Sequence, residues 1–275
     1  MSQIMHDVSP SALIAAIEDN LFALIPTFSR WPQAEVYDGA EIKWSITNVP
    51  FPLFNSVFRA RLAPQQVDST IRSVIAHGTA RQVPVMWWTG PQTQPVDLAR
   101  HLEANGFMHA DHEPGMAVDL MKLNEDCTTL PGASIQQVSD AETLSRWCQV
   151  CATGFEMPDF VADAMFDFMC HVDLSASRPN LGWLDGQPVA TSLLVLAAGV
   201  AGVYNVTTIA EARQKGMGAI MTLTPLCDAR ATGYRVGILH ASKMGVGVYR
   251  RLGFQEYCQI GHYVWSPTPA NEGAA

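Results

Sequence analysis

Residues 213–219, with the sequence RQKGMGA, form the segment around which the chain is organised, either a ligand-binding loop or an ordinary strand-to-helix turn. The segment lies between a strand-like apolar run, 202–208, and a helix-like run, 220–231. Gly216 and Gly218 lack the side chains that would keep a bulky ligand away from the backbone. The helix that follows would direct its free N–H groups and its positive dipole end at such a ligand. With the charges of Arg213 and Lys215 added, the segment predicts a turn that binds a pyrophosphate.

A second motif follows the helix-like run. That run ends at Thr232-Gly233, a pair typical of a left-handed helix stop. A short strand-like run covers 236–240, and the sequence YRRLGF occupies 249–254. In order and spacing, residues 200–258 resemble the GNAT superfamily of acyl-CoA-dependent N-acetyltransferases.

The resemblance implies a role for each matched residue. In that family the glycine loop binds the CoA pyrophosphate through main-chain N–H groups, and the preceding strand bonds the pantetheine arm. A tyrosine protonates the departing thiolate, and this role falls on Tyr249. Ser242 stands where relatives often carry asparagine and would still hydrogen-bond the cofactor. The implied acetyl-CoA contacts are Val206, Thr207, Thr208, Arg213, Gln214, Lys215, Gly216, Met217, Gly218, Ala219 and Ser242, with no metal.

The first half of the chain repeats the order of elements of the second half. The sequence LEANGF at 102–107 aligns with YRRLGF at 249–254. The repeat predicts a mixed α/β (α+β) fold of two tandem GNAT-like domains, residues 1–125 and 133–268. Each domain would have a mixed, mostly antiparallel central sheet flanked by helices.

The first of these domains lacks the residues that carry chemistry in the second. Leu102 stands where Tyr249 does, and no glycine lies between Gly39 and Gly78, where the phosphate loop should be. We therefore predict a degenerate copy that binds no CoA. It would give structural support, either alone or while also forming a wall of the acceptor site.

Composition limits the class of protein. The chain is 48% hydrophobic and 16% charged, which favours an ordered core. A net charge of −9 argues against non-specific nucleic-acid binding. Residues 1–20 lack the pattern of a signal peptide, and the longest apolar run, 193–204, is shorter than the roughly 20 residues that span a bilayer. We expect a soluble, cytoplasmic monomer or homodimer with neither a membrane nor a nucleic-acid partner.

The six cysteines give no strong site. Cys148 and Cys151 have redox or zinc spacing, but no second such pair completes a zinc site. Ser139 and Glu142 have capping-box spacing and predict a helix to about Gly154. The two cysteines would then be buried, reduced thiols on that helix.

Acetyl transfer to an amine needs a bound thioester, a deprotonated amine and a proton for the thiolate. A phenol has a pKa near 10 in water, so a tyrosine can supply that last proton at neutral pH. Many relatives place a carboxylate base on the central strand, but 200–208 contains none. The candidates elsewhere are Glu156, Asp159, His171, Asp173 and His240, and a water chain to backbone carbonyls is a further alternative.

The sequence therefore predicts an acyltransferase that moves an acetyl group from acetyl-CoA to a primary amine. The acceptor would be a small molecule, an amino acid or a peptide. An intact Tyr249 and glycine loop favour this enzyme over a non-catalytic CoA-binding sensor or pseudo-enzyme. A third hypothesis is another acyl-CoA donor, because 206–208 do not reveal the acyl length.

Overall fold

A computed structural model describes residues 3–23, 25–126 and 130–267. In chain order its helices and strands are α1 (Pro10–Phe22), α2 (Ile25–Phe28), β1 (Glu35–Asp38), β2 (Ile42–Ile46), β3 (Ser56–Ala60), α3 (Val67–Arg81), β4 (Val85–Thr89), α4 (Leu98–Ala104), β5 (Met108–Asp119), β6 (Ala133–Gln137), α5 (Ala141–Gly154), α6 (Asp159–Met169), β7 (Ser177–Leu184), β8 (Gln187–Ala197), β9 (Val200–Thr208), α7 (Met217–Ala231), β10 (Val236–His240), α8 (Val246–Arg251) and β11 (Gln255–Trp265).

The described residues divide into two compact units. Unit 1 holds the residues up to Thr27 together with 113–259, and unit 2 holds 28–112 together with the residues from Ile260 onward. The predicted boundaries, 1–125 and 133–268, do not coincide with these units. The difference arises because α1 packs on β8, β9 and β10, and because residues 115–119 of β5 pair with β10.

Unit 2 is a small mixed sheet covered by two helices. The strands β1, β2 and β3 pair antiparallel in sequence, β3 pairs parallel with β4, and residues 261–265 of β11 pair antiparallel with β4. Its core joins the sheet to α3 and α4 through fully buried side chains such as Trp87, Ile71 and Leu98. The turn before α3 contains Pro64 and no glycine.

Unit 1 is a six-stranded arrangement in the order β5, β10, β9, β8, β7, β6. Every neighbouring pair is antiparallel except β9 and β10, which are parallel. The helices α7 and α8 pack on one face with Leu194, Ala201 and Val203. The helices α5 and α6 pack on the other face with Leu193 and Val195. Because both faces are covered, β8 is a nearly continuous run of buried residues.

The α1 helix is a core helix of unit 1. The stretch Pro10–Phe28 is long and apolar enough to cross a membrane by length and composition alone, but 53% of that window is buried. Within α1 the buried positions include Leu13, Ile17 and Leu21, which follow the spacing of one helix face. The sequence predicted a helix here, and the structure adds the sheet that its apolar face covers.

The two aligned sequence endings share one backbone conformation. Phe107 N donates to Leu102 O at 3.0 Å, and Phe254 N donates to Tyr249 O at 3.1 Å. The glycines before these phenylalanines have φ of +88° and +100°, a left-handed conformation that glycine adopts at little cost. Helices α4 and α8 therefore end in the same left-handed glycine turn, and each is followed by a strand.

Candidate functional site

The parallel strands β9 and β10 separate at their carboxyl ends. Their register pairs are Ala201 with Gly237 and Gly202 with Ile238, and the described ladder continues no further. The remaining residues of β9, up to Thr208, therefore have no β10 partner. Ligands in α/β sheets commonly bind where the carboxyl ends of adjacent strands diverge. We call this gap the β9–β10 opening.

A β-bulge lies in β9 beside the opening. Tyr204 pairs with Leu193 and Thr207 pairs with Thr191, so Asn205 and Val206 together face the single residue Ser192. Asn205 has a φ of +49°, which marks the bulged position. The bulge displaces Val206 from the ladder and leaves its main chain beside the opening.

Side chains donate hydrogen bonds to carbonyl groups at the bulge, where the ladder between β8 and β9 is interrupted. Thr191 Oγ1 donates to Asn205 O at 2.8 Å, and Trp147 Nε1 donates to Ser192 O at 3.1 Å. Thr207 is buried against Gly154, where an added Cβ would lie 2.5 Å from Thr207 Oγ1. The side-chain hydroxyl of Thr207 is thus enclosed by protein, so at this position only the main chain is left for a ligand.

The glycine turn presents a run of unpaired N–H groups. Among the described residues, no acceptor bonds the main-chain N–H groups of residues 214–218. Gly216 caps α7 with a φ of +94°, and an added Cβ at Gly216 or Gly218 would have nothing within 4 Å. Successive free N–H groups at a helix N-terminus form an anion site. The turn therefore offers the free N–H groups that an anion site needs, and its binding of a pyrophosphate stays a prediction.

The two basic residues of the turn differ in what they contact. Arg213 Nε donates to Thr208 O at 3.0 Å, and Arg213 Nη2 donates to Gly154 O at 3.0 Å and lies 3.4 Å from Glu156 Oε1. Its guanidinium ties the end of β9 to the end of α5, and the expected contact of this charge with the phosphates stays a prediction. Lys215 is exposed and forms no ion pair with a described residue.

Tyr249 is buried at the centre of α8. Its ring packs at 6.0 Å from Phe254 in an edge-on arrangement, in the cluster that also contains Ala219 and Ala241. Its hydroxyl bonds no other described residue. Burial raises the pKa of Tyr249 to about 12, and the negative charge of Glu113 acts in the same direction. The phenol is therefore a proton donor throughout the neutral range.

Ser242 begins the turn that leads into α8. Its Oγ accepts a hydrogen bond from Gly245 N at 3.1 Å, and the residue is exposed. At Gly245 an added Cβ would lie 2.8 Å from the Tyr249 ring, so the close contact between turn and ring requires glycine. The Ser242 hydroxyl proton can still be donated to a ligand, while its oxygen supports the turn.

Three of the five general-base candidates contact other protein groups, and a fourth, Asp159, is exposed. Glu156 is 77% exposed beside Arg213, and Asp159 is an exposed residue at the start of α6. The His171 ring nitrogen Nδ1 lies 2.9 Å from Asp167 O, and Asp173 accepts from Ser175 N and Oγ. The fifth candidate, His240, is the last residue of β10 and borders the opening.

The sequence reasoning missed a polar group that α1 brings to the same place. Asn20 is fully buried, and its Oδ1 accepts from Tyr204 Oη at 2.8 Å. The Tyr204 ring is 5.8 Å from the His240 ring in a T-shaped arrangement. Glu113 precedes Pro114, whose carbonyl accepts from Ala241 N at 2.9 Å. The signal in the sequence was a polar asparagine within the otherwise apolar pattern of α1, and it could have identified Asn20.

The cysteines do not form a site among the described residues. Cys148 and Cys151 are free and buried on α5, as predicted, and burial raises the pKa of Cys151 to about 12. Cys127 lies outside the described residues. Within the described ranges, no group of three or more potential metal ligands occurs.

Solved structures of acetyltransferases share this architecture. A GCN5-related N-acetyltransferase from Kribbella flavida superposes with a TM-score of 0.66 at 18% identity, covering 96% of this chain and 97% of that one. A tandem GNAT protein from the clavulanic acid biosynthesis pathway gives 0.60 at 11% identity, with 97% of each chain covered. A GCN5-related N-acetyltransferase from Sphaerobacter thermophilus gives 0.60 at 15% identity, with 95% of each chain covered.

No protein-family model and no curated protein matches the sequence. The structural similarity extends over nearly the whole chain, so the chain has the fold of the GCN5-related N-acetyltransferases. The predicted superfamily fold and its mixed, mostly antiparallel architecture are confirmed. The predicted site residues lie within unit 1 of this fold.

Proposed function

We propose that this chain is an N-acetyltransferase that moves the acetyl group of acetyl-CoA directly to a primary amine. The acceptor is a small molecule, an amino acid or a peptide. The observation that carries the proposal is the run of unpaired N–H groups at residues 214–218, at the start of α7. In a GNAT fold this run is where a CoA pyrophosphate would bind.

The residues present fit acetyl-CoA. Five consecutive main-chain donors suit the several oxygens of a pyrophosphate, and the helix dipole adds a favourable field. Gly218 leaves open space in front of the backbone, and the exposed Lys215 lies next to it in the turn. Arg213 contributes by fixing the carboxyl end of β9 to the turn. The bulged main chain around Val206 would bond the pantetheine arm and polarise the thioester carbonyl.

Acetyl-CoA supplies an activated thioester, and the protein supplies position and protons. Holding the amine beside the thioester replaces a bimolecular encounter, which lowers the barrier substantially. The amine nitrogen bonds to the carbonyl carbon as the carbon–sulfur bond breaks, and Tyr249 Oη gives its proton to the sulfur. The raised pKa of Tyr249 keeps that proton in place until a thiolate forms.

We assign no CoA site to the N-terminal copy. Leu102 occupies the position of Tyr249 in an identical helix ending, and the turn before α3 lacks glycine. This supports a tandem arrangement with a degenerate first copy. We further propose a cytoplasmic monomer or homodimer without a nucleic-acid or membrane partner, in line with the net charge of −9 and the buried face of α1.

Thiol release tests the activity. Purified protein is incubated with acetyl-CoA and each of ethanolamine, putrescine, tyramine, L-lysine and dialanine, and free thiol is measured over time. Thiol release that depends on one of these amines, with an equal amount of acetylated product, supports the transferase. Tight acetyl-CoA binding without turnover on any amine would instead support the non-catalytic sensor. Faster turnover with propionyl-CoA would support the other-donor hypothesis.

A further inference from the structure

We propose that the acceptor amine approaches the opening on the face covered by α1, and that His240 removes its proton there. This inference rests on the proposed function and assigns its missing base. It selects one residue from five candidates that the sequence left equal. The assignment follows from the two faces of unit 1, the position of His240 on β10 and the contacts that hold its ring.

The two faces of the opening are chemically different. On the α7 face, Leu239, Ala241 and Tyr249 belong to one apolar cluster with the first turn of α7. On the opposite face an added Cβ at Gly202 would contact Asn20 of α1. Because side chains alternate along a strand, Tyr204 and His240 lie on this α1 face. The α7 face holds the cofactor groups, so the α1 face remains for the acceptor.

His240 lies where the two strands have already separated. The last register pair of the parallel strands is Ile238 with Gly202, and His240 is two residues beyond it. It is half-buried, and its ring meets the Tyr204 ring at 5.8 Å with an interplanar angle of 85°. An imidazole in this position therefore contacts β9 at Tyr204 and borders the β9–β10 opening.

Fixed contacts hold the ring that faces His240. Tyr204 Oη donates to Asn20 Oδ1 at 2.8 Å. Asn20 Nδ2 in turn donates to Ala197 O at 2.9 Å and Val195 O at 3.3 Å. Burial raises the pKa of Tyr204, so this phenol remains neutral and does not compete for the proton. Tyr204 is accordingly a positioning residue.

Charged groups around His240 favour an acceptor that arrives as a cation. On β5, Gly115 pairs with His240, and Glu113 lies on the same face by strand alternation. On α1, Glu18 is buried near Cys258 of β11, whose pKa is raised mainly by burial and further by the charge of Glu18. Lys243 follows three residues after His240 and is exposed. The carboxylate of Glu113 would stabilise an approaching ammonium ion and the imidazolium that proton removal forms.

The proton balance is complete with these two residues. His240 takes one proton from the ammonium group, and the freed lone pair forms the bond to carbon. Tyr249 gives its proton to the departing sulfur and recovers one from the same nitrogen. The imidazolium then releases its proton to water, so one proton leaves for each amide formed.

The test is the pH dependence of kcat/KM, with the fastest amine of the panel as the probe. We expect His240→Gln to lower kcat/KM about 100-fold at pH 7. The variant should also lose the fall of kcat/KM at low pH that protonation of His240 causes in the wild type. Acetyl-CoA affinity should be unchanged, which also confirms folding. His171→Gln is the matched control, because that ring bonds only its own helix, and its profile should equal the wild type.

A second measurement uses the wild-type protein alone. Amines with different pKa values are compared, and the fall of kcat/KM at low pH should stay at the same pH for every amine. A limb that moves with the pKa of the amine would overturn the assignment, as would a His240→Gln profile equal to the wild type. Absence of turnover in the wild type would overturn the proposed function itself and this role with it.

Discussion

At the scale of single residues, the ring of Tyr249 is buried, and its hydroxyl forms no hydrogen bond with another described residue. We expect Tyr249→Phe to lower kcat about 100-fold, because the thiolate would lose its proton donor. The Kd for acetyl-CoA and the Tm should change little, since no protein hydrogen bond is lost. Stopped-flow turnover and calorimetry check this, and an unchanged kcat would remove Tyr249 from the mechanism.

The same residue predicts a pH dependence. Since burial raises the pKa of Tyr249 to about 12, its proton is present well above pH 10 and is lost only as the pH rises through that value. No alkaline limb below pH 10 should therefore come from this group. A wild-type limb near pH 9 that disappears in Tyr249→Phe would contradict the raised pKa.

Substitution of the two basic residues of the turn should have different effects, one on cofactor binding and the other on stability. Lys215→Met should weaken acetyl-CoA binding several-fold and reduce its salt dependence, because an exposed charge near the phosphates is lost. Arg213→Met should instead lower the free energy of unfolding by about 1–2 kcal/mol, because two carbonyl groups lose their donor. Calorimetry at two salt concentrations measures the effect on acetyl-CoA binding, and urea unfolding measures the effect on stability, so the two variants can be distinguished. The reverse pattern would show that Arg213 serves the phosphates.

At the scale of elements, α1 is attached to the sheet of unit 1 by one buried amide. Asn20→Ala would leave the buried Tyr204 Oη without its acceptor and would remove the amide donor from Val195 O and Ala197 O, which also lie in the β8–β9 ladder. We expect the free energy of unfolding to fall by about 1–3 kcal/mol, the cost of one buried unsatisfied group. Ser11→Ala, an exposed change on the same helix, is the control. Equal urea midpoints for both variants would contradict the attachment.

Local signals predicted part of the fold and site. Gly216 and Gly253 have positive φ angles that glycine adopts at little cost, and Gly218 leaves open space before the backbone, so these three positions could be identified from the sequence. The start of α5 was misplaced by one residue: Asp140, and not Ser139, caps the helix by accepting from Thr143 N at 2.8 Å. Two adjacent capping residues compete, and local sequence does not decide between them.

Features that depend on distant partners could not be predicted. The bulge at Asn205 and Val206 is a matter of register against β8, and nothing within β9 specifies it. The role of Arg213 depends on a carbonyl 59 positions away at Gly154. The placement of His240 opposite Tyr204 likewise requires the sheet order. A helix pattern shows that α1 has an apolar face, but it does not show which sheet that face covers.

At the scale of the whole molecule, the compact units cut across the tandem repeat that the sequence suggests. The N-terminal copy repeats the helix ending of α8 but has Leu102 and a glycine-free turn in place of the functional groups. We therefore expect one acetyl-CoA per chain. A stoichiometry of two in calorimetry would show that the N-terminal copy also binds the cofactor.

The central claim is that main-chain amides at the start of α7 bind the CoA pyrophosphate. Isothermal titration calorimetry of acetyl-CoA against Gly218→Glu tests it most directly, with Ala231→Glu, at the far end of the same helix, as the charge-matched control. We expect no measurable binding to Gly218→Glu, because its side chain fills the open space and repels the phosphates, and wild-type affinity for the control. Wild-type affinity in Gly218→Glu would contradict the account.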